Sequence, residues 1–302
     1  MQIEGNSGAG KSSLVRAGML PMIEKGALWA RTGYEHWRIL GPMMPGNCPL
    51  TQLAEFIERG LIEDEAKRNL SNRLQQLNQG ETALALTLRG FKKTKTAFLL
   101  VIDQFEELFT FSNDAERMRF DAALAGALKD PNCPLFVIST VRLDFLDRIE
   151  RVPKLLDVYN RGVEDHYILP TISEQGLREA IEGPARLADL DVSEVTTAIL
   201  DDARNEVGAL PLVENALSTL WQKMEPDSNK LSGKLYSELG GLAGILASQA
   251  DALVDQIDRA VPGGRHKALE LLLRLTRVND EGRHSRQRVT REETIDVAGE
   301  GE

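Results

Sequence analysis

Gly5-Asn6-Ser7-Gly8-Ala9-Gly10-Lys11-Ser12 fits the spacing G-x-x-x-x-G-K-[ST]. Glycines in such a run let successive backbone N–H groups converge on an anion, and the helix that follows points its positive end at the same spot. The chemistry this suits is the binding of a phosphate chain. Lys11 would reach the β- and γ-phosphates as a point charge, the Ser12 hydroxyl would hold Mg²⁺, and Ser13 would touch the α-phosphate. The tail Ser13 to Pro21 reads as a helix stopped by its proline, the loop-to-helix geometry such a site requires. One element fits poorly. A loop of this kind follows a buried strand of about five residues, and only Met1 to Glu4 precede it.

A phosphate loop predicts a nucleotide rather than a reaction, so an acid that organises Mg²⁺ is needed. Thr96 to Ile102 is a continuous apolar run ending in Asp103, the pattern of a parallel strand buried on both faces. Ligands bind beyond the carboxyl ends of strands in open α/β sheets, so Asp103 would emerge beside the loop and hold Mg²⁺ through water. Gln104, Phe105, Glu106 and Glu107 follow. Glu106 or Glu107 would polarise an attacking water and Gln104 would orient it; alternatively, the two acids merely open a helix, whose first turn favours them. Another strand, Leu135 to Val141, is reached through an amphipathic helix with Phe120, Leu124 and Leu128 at helical spacing. Arg142 comes directly after it, as a sensor of a γ-phosphate or as a surface ion-pair residue.

The intervening segments supply the frame. His36 to Leu40 reads as a strand and Leu50 to Leu88 as mostly helical. A strand inserted there points to the P-loop ATPases that have an extra strand between the phosphate-loop strand and the acid-bearing strand, rather than to kinases or small GTPases. Beyond Tyr167-Ile168-Leu169-Pro170 the pattern turns helical. Thr171 and Glu174 make a capping box for a helix that ends at Gly183-Pro184. Pro211 fits the first turn of a helix with Leu210, Val213, Leu217, Leu220 and Trp221 on one face. Leu242 to Val261 and Lys267 to Val278 are further helical stretches. Arg283, Arg286, Arg288 and Arg291 decorate a turn-rich, β-capable segment, read as a solvated hairpin or as a wing that contacts DNA or protein.

Composition bounds the rest. A chain of 302 residues suggests about two domains with proper cores. The formal net charge of −10 argues against a broad nucleic-acid footprint, which needs clustered Lys and Arg. Two cysteines cannot make a disulfide framework, and neither has metal-ligand spacing; both lie in Asn-Cys-Pro-Leu tetrapeptides read as turns. The longest apolar run, Ala97 to Ile102, is far short of the roughly 20 residues that span a bilayer. The N-terminus lacks the basic-then-apolar pattern of a secretory signal, so a cytoplasmic protein is expected.

Together these segments resemble the novel STAND NTPases of bacteria (type one), signal-transduction ATPases related to AAA+ and NB-ARC proteins. The resemblance covers nearly the whole chain. It is carried by Gly5 to Pro21, by Asp103-Gln104-Phe105-Glu106-Glu107-Leu108-Phe109, by Thr140-Val141-Arg142-Leu143-Asp144-Phe145 and by Leu177 to Ala185. Gly208 to Val213 and Tyr236 to Leu242 extend it. It implies an α/β P-loop NTPase core (1–165) with a parallel sheet and flanking helices, an all-helical lid (166–232) and a partial winged-helix domain (233–302). It further implies ATP or ADP with Mg²⁺ as ligands, Lys11 and Ser12 on phosphate and metal, Asp103 as the Walker B acid, Arg142 as the sensor and Pro211 near adenine. Family members act as switches: ADP holds the module closed, and ATP opens it for self-association or for protein partners.

The chain departs from that pattern. An effector domain ahead of the loop and repeats of 30–50 residues after the ATPase are expected to be missing, as is part of the first strand, and the winged helix is expected to stop at Gly299-Glu300-Gly301-Glu302. Two readings therefore stand, a regulatory ATPase module with slow hydrolysis or a catalytically weak interaction module acting through its helical half.

Overall fold

All seven residues of Thr96–Ile102 are buried in strand β3. Alternate side chains serve two cores: Phe98, Leu100 and Ile102 join one apolar cluster, Leu99 and Val101 the other. A strand with no polar face must lie inside a sheet covered on both sides. In the computed structural model it does, within five parallel strands: β1 (Gln2–Gly5), β2 (His36–Met43), β3, β4 (Leu135–Arg142) and β5 (His166–Ile168), ordered β2-β3-β4-β1-β5. The structure describes residues 1–161, 165–204, 206, 208–226, 228–261, 263–278, 284–286, 289 and 291–299.

Three expectations about the sheet and the helix after the loop change. First, four residues do form the strand ahead of the loop: β1 is wholly buried, and Ile3 pairs with Thr140 of β4 on one side and Tyr167 of β5 on the other. Second, the strand between β1 and β3 is β4, not the inserted β2, which lies outside β3. The sequence order of strands does not give their spatial order when crossovers intervene. Third, the helix after the loop is not stopped by Pro21. Lys11–Ser13 runs into a π-helical stretch, Leu14–Met19, and then into an α-helix, Leu20–Glu24, with Pro21 in its first turn. Met19 and Leu20 keep helical dihedrals and the Leu20 N–H reaches back five residues to the Val15 carbonyl, so the widened π-helical turn carries the chain past the proline without a break.

Helices close both faces. Val15 and Ile23, after the loop, pack with Ile3, Leu99, Val101 and Ile138. On the other face lie Leu53 and Ile57 of helix Pro49–Leu61 and Phe120 and Leu124 of helix Asp114–Lys129. Leu128 is only partly buried there. The two Asn-Cys-Pro-Leu tetrapeptides lead into different elements, that first helix and β4. In β2 a register shift separates Leu40 from Met43, and Met43 then accepts the N–H of Asp103 at 2.8 Å, fixing the end of β3.

The chain divides into two compact units, Met1–Ile172 and Ser173–Glu302, so the sheet with β5 lies entirely in the first. The second unit is helical over Glu174–Leu187, Ser193–Ala203, Ala209–Gln222, Gly233–Glu238, Gly241–Ala260 and Gly264–Arg274. An antiparallel hairpin of β6 (Thr276–Val278) and β7 (His284–Arg286) and a helix, Arg291–Ala298, follow. The cap of Glu174–Leu187 is Ser173, which accepts the Gly176 N–H at 3.1 Å, rather than Thr171, and the helix continues through Pro184. Burial of Leu177, Ile181 and Ala185 along one face holds it across the lost hydrogen bond. In Ala209–Gln222 the buried stripe is Ala209, Val213, Ala216 and Leu220; Trp221 is half exposed and off it. Arg283, Arg288 and residues 300–302 lie outside the described residues. Among the described residues no helix is long and apolar enough to cross a membrane.

Candidate functional site

The loop between β1 and its helix takes its shape from glycine. Gly8 and Gly10 have φ of 72° and 90°, a left-handed backbone that a β-carbon disfavours. The Ala9 N–H closes a turn onto the Asn6 carbonyl at 3.2 Å, and Gly10 starts the helix. Asn6, Ser7 and Ser13 are exposed, and Gly8, Ala9, Gly10 and Ser12 are partly so. Lys11 is buried and donates from Nζ to the Gly5 and Asn6 carbonyls, each at 2.8 Å. Its ammonium is therefore braced under the loop. Desolvation pulls its pKa below the ordinary value, while Glu106 pulls the other way.

Asp103, only 4 % exposed, collects the elements around it. Its Oδ1 accepts hydrogen bonds from Ser12 Oγ and Thr140 Oγ1, both at 2.7 Å, and its Oδ2 pairs with an Arg16 guanidinium nitrogen at 3.1 Å. Ser12 and Asp103 thus offer a hydroxyl and a carboxylate side by side. This is the hard-oxygen donor set that Mg²⁺ takes beside phosphate oxygens and water, and the residues fit that ion. Thr140 also accepts the N–H of Gln104 at 2.9 Å, while Gln104 is exposed and turns the chain at φ 57°.

The two glutamates after β3 separate in role. Glu107 Oε2 accepts the Gly46 N–H at 3.1 Å, and Ser112 Oγ donates to the Gly46 carbonyl at 2.7 Å, so Glu107 ties down the loop after β2. Glu106 is buried, and its Oε2 has no hydrogen-bond partner. An unpaired buried carboxylate oxygen is costly, and such atoms in native proteins call for an explanation such as a bound water or a catalytic task. Burial raises the pKa of Glu106 above the usual carboxylate value, opposed by the backbone amides of Glu106 and Arg142 and by the charges of Lys11 and Arg142. A carboxylate held this way can accept a proton more readily than an exposed one.

Arg142 ends β4 in register with Gly5. Its guanidinium makes a two-point contact with Asp144 at 2.9 and 2.7 Å and lies 5.3 Å from the centre of the Phe145 ring. Lys11, Ser12, Asp103, Glu106 and Arg142 thus come together at the carboxyl ends of β1, β3 and β4. Pro211 lies in the second unit, exposed in the first turn of Ala209–Gln222. Sequence reasoning gave no role to Thr140 or Arg16. Thr140 follows Ser139, the β4 partner of Ile102, and Arg16 stands four residues after Ser12, so strand register and helical spacing carried the signal.

The sequence model of the Novel STAND NTPase 1 family matches residues 1–301. The chain belongs to this family. No individually curated protein sequence matches it. Among solved structures it is similar to the Aeropyrum pernix ORC2 protein in its ADP form, with a TM-score of 0.56 and 13 % identity over 98 % of this chain and 85 % of that one. The ADPNP-ADP complexes of the same ORC2 protein give 0.51 at 13 % identity, over 98 % and 86 %. Drosophila ORC bound to DNA gives 0.51, again at 13 % identity, over 99 % of this chain and 80 % of that one. At that identity the likeness is one of fold. By its family the chain is a nucleotide-binding NTPase.

Proposed function

We propose that this chain is the nucleotide-controlled switch module of a STAND signalling protein, binding ATP or ADP with Mg²⁺ and hydrolysing ATP slowly. The observation that carries the reading is the meeting of Lys11, Ser12, Asp103 and the unpaired Glu106 at the ends of β1 and β3. The loop Gly5–Ser13 takes the phosphate chain, with Lys11 against the β- and γ-phosphates. Ser12 and Asp103 hold Mg²⁺, which when bound neutralises charge on the phosphate oxygens. Glu106 takes the proton of a water whose oxygen attacks the γ-phosphorus as the bond from that phosphorus to the β–γ bridging oxygen breaks, leaving ADP and phosphate. Arg142, released from Asp144, reads the γ-phosphate and so distinguishes ATP from ADP.

In this reading the ATPase core, expected over 1–165, extends through β5 to Ile172, the lid that places Pro211 against adenine follows up to residue 232, and 233–302 are part of a winged-helix domain. The helices and the β6–β7 hairpin of the second unit support that last assignment. Protein partners or further copies of the chain receive the signal in the ATP state, and the net charge of −10 favours these over nucleic acid. Steady-state ATP hydrolysis tests the assignment of the base. Glu106→Gln is expected to bind ATP but lose turnover by about 100-fold or more, whereas Glu107→Gln keeps most of it. Equal turnover in wild type and Glu106→Gln contradicts the assignment.

A further inference from the structure

Asp103 has two oxygens with different company. Oδ1 is taken by the hydroxyls of Ser12 and Thr140, and the partner of Oδ2 is Arg16, at 3.1 Å. A carboxylate this buried requires a compensating charge. Arg16 supplies it from the helix that begins at Lys11, one turn beyond Ser12, and both residues reach the same carboxyl group. Its contact is a single nitrogen on a single oxygen, and 53 % of the Arg16 side chain is exposed to solvent. The guanidinium is thus poised to leave. It also lies in the π-helical stretch Leu14–Met19, a widened turn of the kind that recurs at functional sites.

We propose that Arg16 is a tethered counter-cation that competes with the divalent metal for Asp103. The inference rests on the reading above, in which Ser12 and Asp103 hold Mg²⁺. Without metal, Arg16 neutralises Asp103 and keeps the carboxylate aligned with Ser12. A divalent cation entering beside Ser12 repels the guanidinium and displaces it into solvent, where half of the side chain already lies. Arg16 is therefore a regulating and positioning residue: it weakens metal binding and lets the nucleotide site keep its charge balance when metal is scarce.

The test uses the 302-residue chain saturated with ADP and titrated with Mn²⁺, the free ion being read by electron paramagnetic resonance. Fluorescent ADP in the presence of EDTA first establishes that each protein binds nucleotide. Arg16→Ala and Arg16→Gln are expected to bind Mn²⁺ about three- to tenfold more tightly than wild type, each tenfold corresponding to about 1.4 kcal/mol. Arg16→Lys, which keeps the charge, is expected to stay within about twofold. The glutamine variant, closer in length and polarity, guards against a folding defect in the alanine variant. Unchanged or weaker Mn²⁺ binding in the folded variants overturns the role of Arg16 alone. Absence of ADP binding by the wild type would instead defeat the nucleotide reading beneath it.

Discussion

Ser12 and Asp103, 91 residues apart, are joined by a 2.7 Å hydrogen bond from the serine hydroxyl to the carboxylate. The bond links the loop that follows β1 to the acid that ends β3, although β4 separates the two strands. Thr140 spans that gap from β4, and its hydroxyl reaches the same carboxylate oxygen. The site is thereby a property of three neighbouring strand ends.

Thr140→Val tests that support. The residue is buried, donates to Asp103 and accepts from the Gln104 amide. Valine keeps the shape but leaves the amide unpaired, for a cost of about 1–3 kcal/mol. Urea denaturation is expected to show a lower midpoint with an unchanged slope. A loss below about 0.5 kcal/mol would make the hydroxyl dispensable.

The proposed role of Glu106 sets function against stability. Burial raises its pKa in the folded chain above the reference value of 4.5. Ionising it therefore costs stability at any pH above the folded pKa, and the cost disappears as pH falls below 4.5, where folded and unfolded chains are both protonated. Glu106→Gln is expected to raise Tm near pH 7.5 and to show no gain near pH 4. A gain that is independent of pH would contradict the desolvation argument. With Glu106 as the proposed base, the acid limb of ATP hydrolysis is expected to lie above the ordinary carboxylate range.

Much of this site was legible as residue types. The glycine spacing gave the loop, and the apolar run ending in Asp103 gave β3. Phe120 and Leu124 gave the helix covering it. What the sequence did not convey depends on spatial order. The position of β4 between β1 and β3, and hence Thr140 beside Asp103, follows from crossovers that no local pattern encodes. The separation of Glu106 from Glu107 depends on where the Gly46 loop comes to rest. Pro21 and Pro184 look like helix stops in the sequence, yet both helices continue, because a proline ends a helix only where it disrupts bonds the packing cannot spare.

Arg142 is held by Asp144 and stands in register with Gly5. Arg142→Ala is expected to leave ADP affinity within about twofold and to weaken ATP binding by about tenfold, the scale of a charge-assisted contact. Isothermal titration with each nucleotide measures both. Equal losses for ADP and ATP would refute a γ-phosphate sensor.

Nucleotide binding at the loop is measured by titrating the chain with a fluorescent ATP analogue, with and without Mg²⁺, comparing wild type with Lys11→Ala. Lys11 is buried beneath the loop and braced by the Gly5 and Asn6 carbonyls. Wild type is expected to bind tightly and more so with Mg²⁺, and Lys11→Ala to lose about 10- to 100-fold, the contribution of a charged hydrogen-bond donor. The same affinity and the same Mg²⁺ dependence in both proteins would contradict nucleotide binding at the loop.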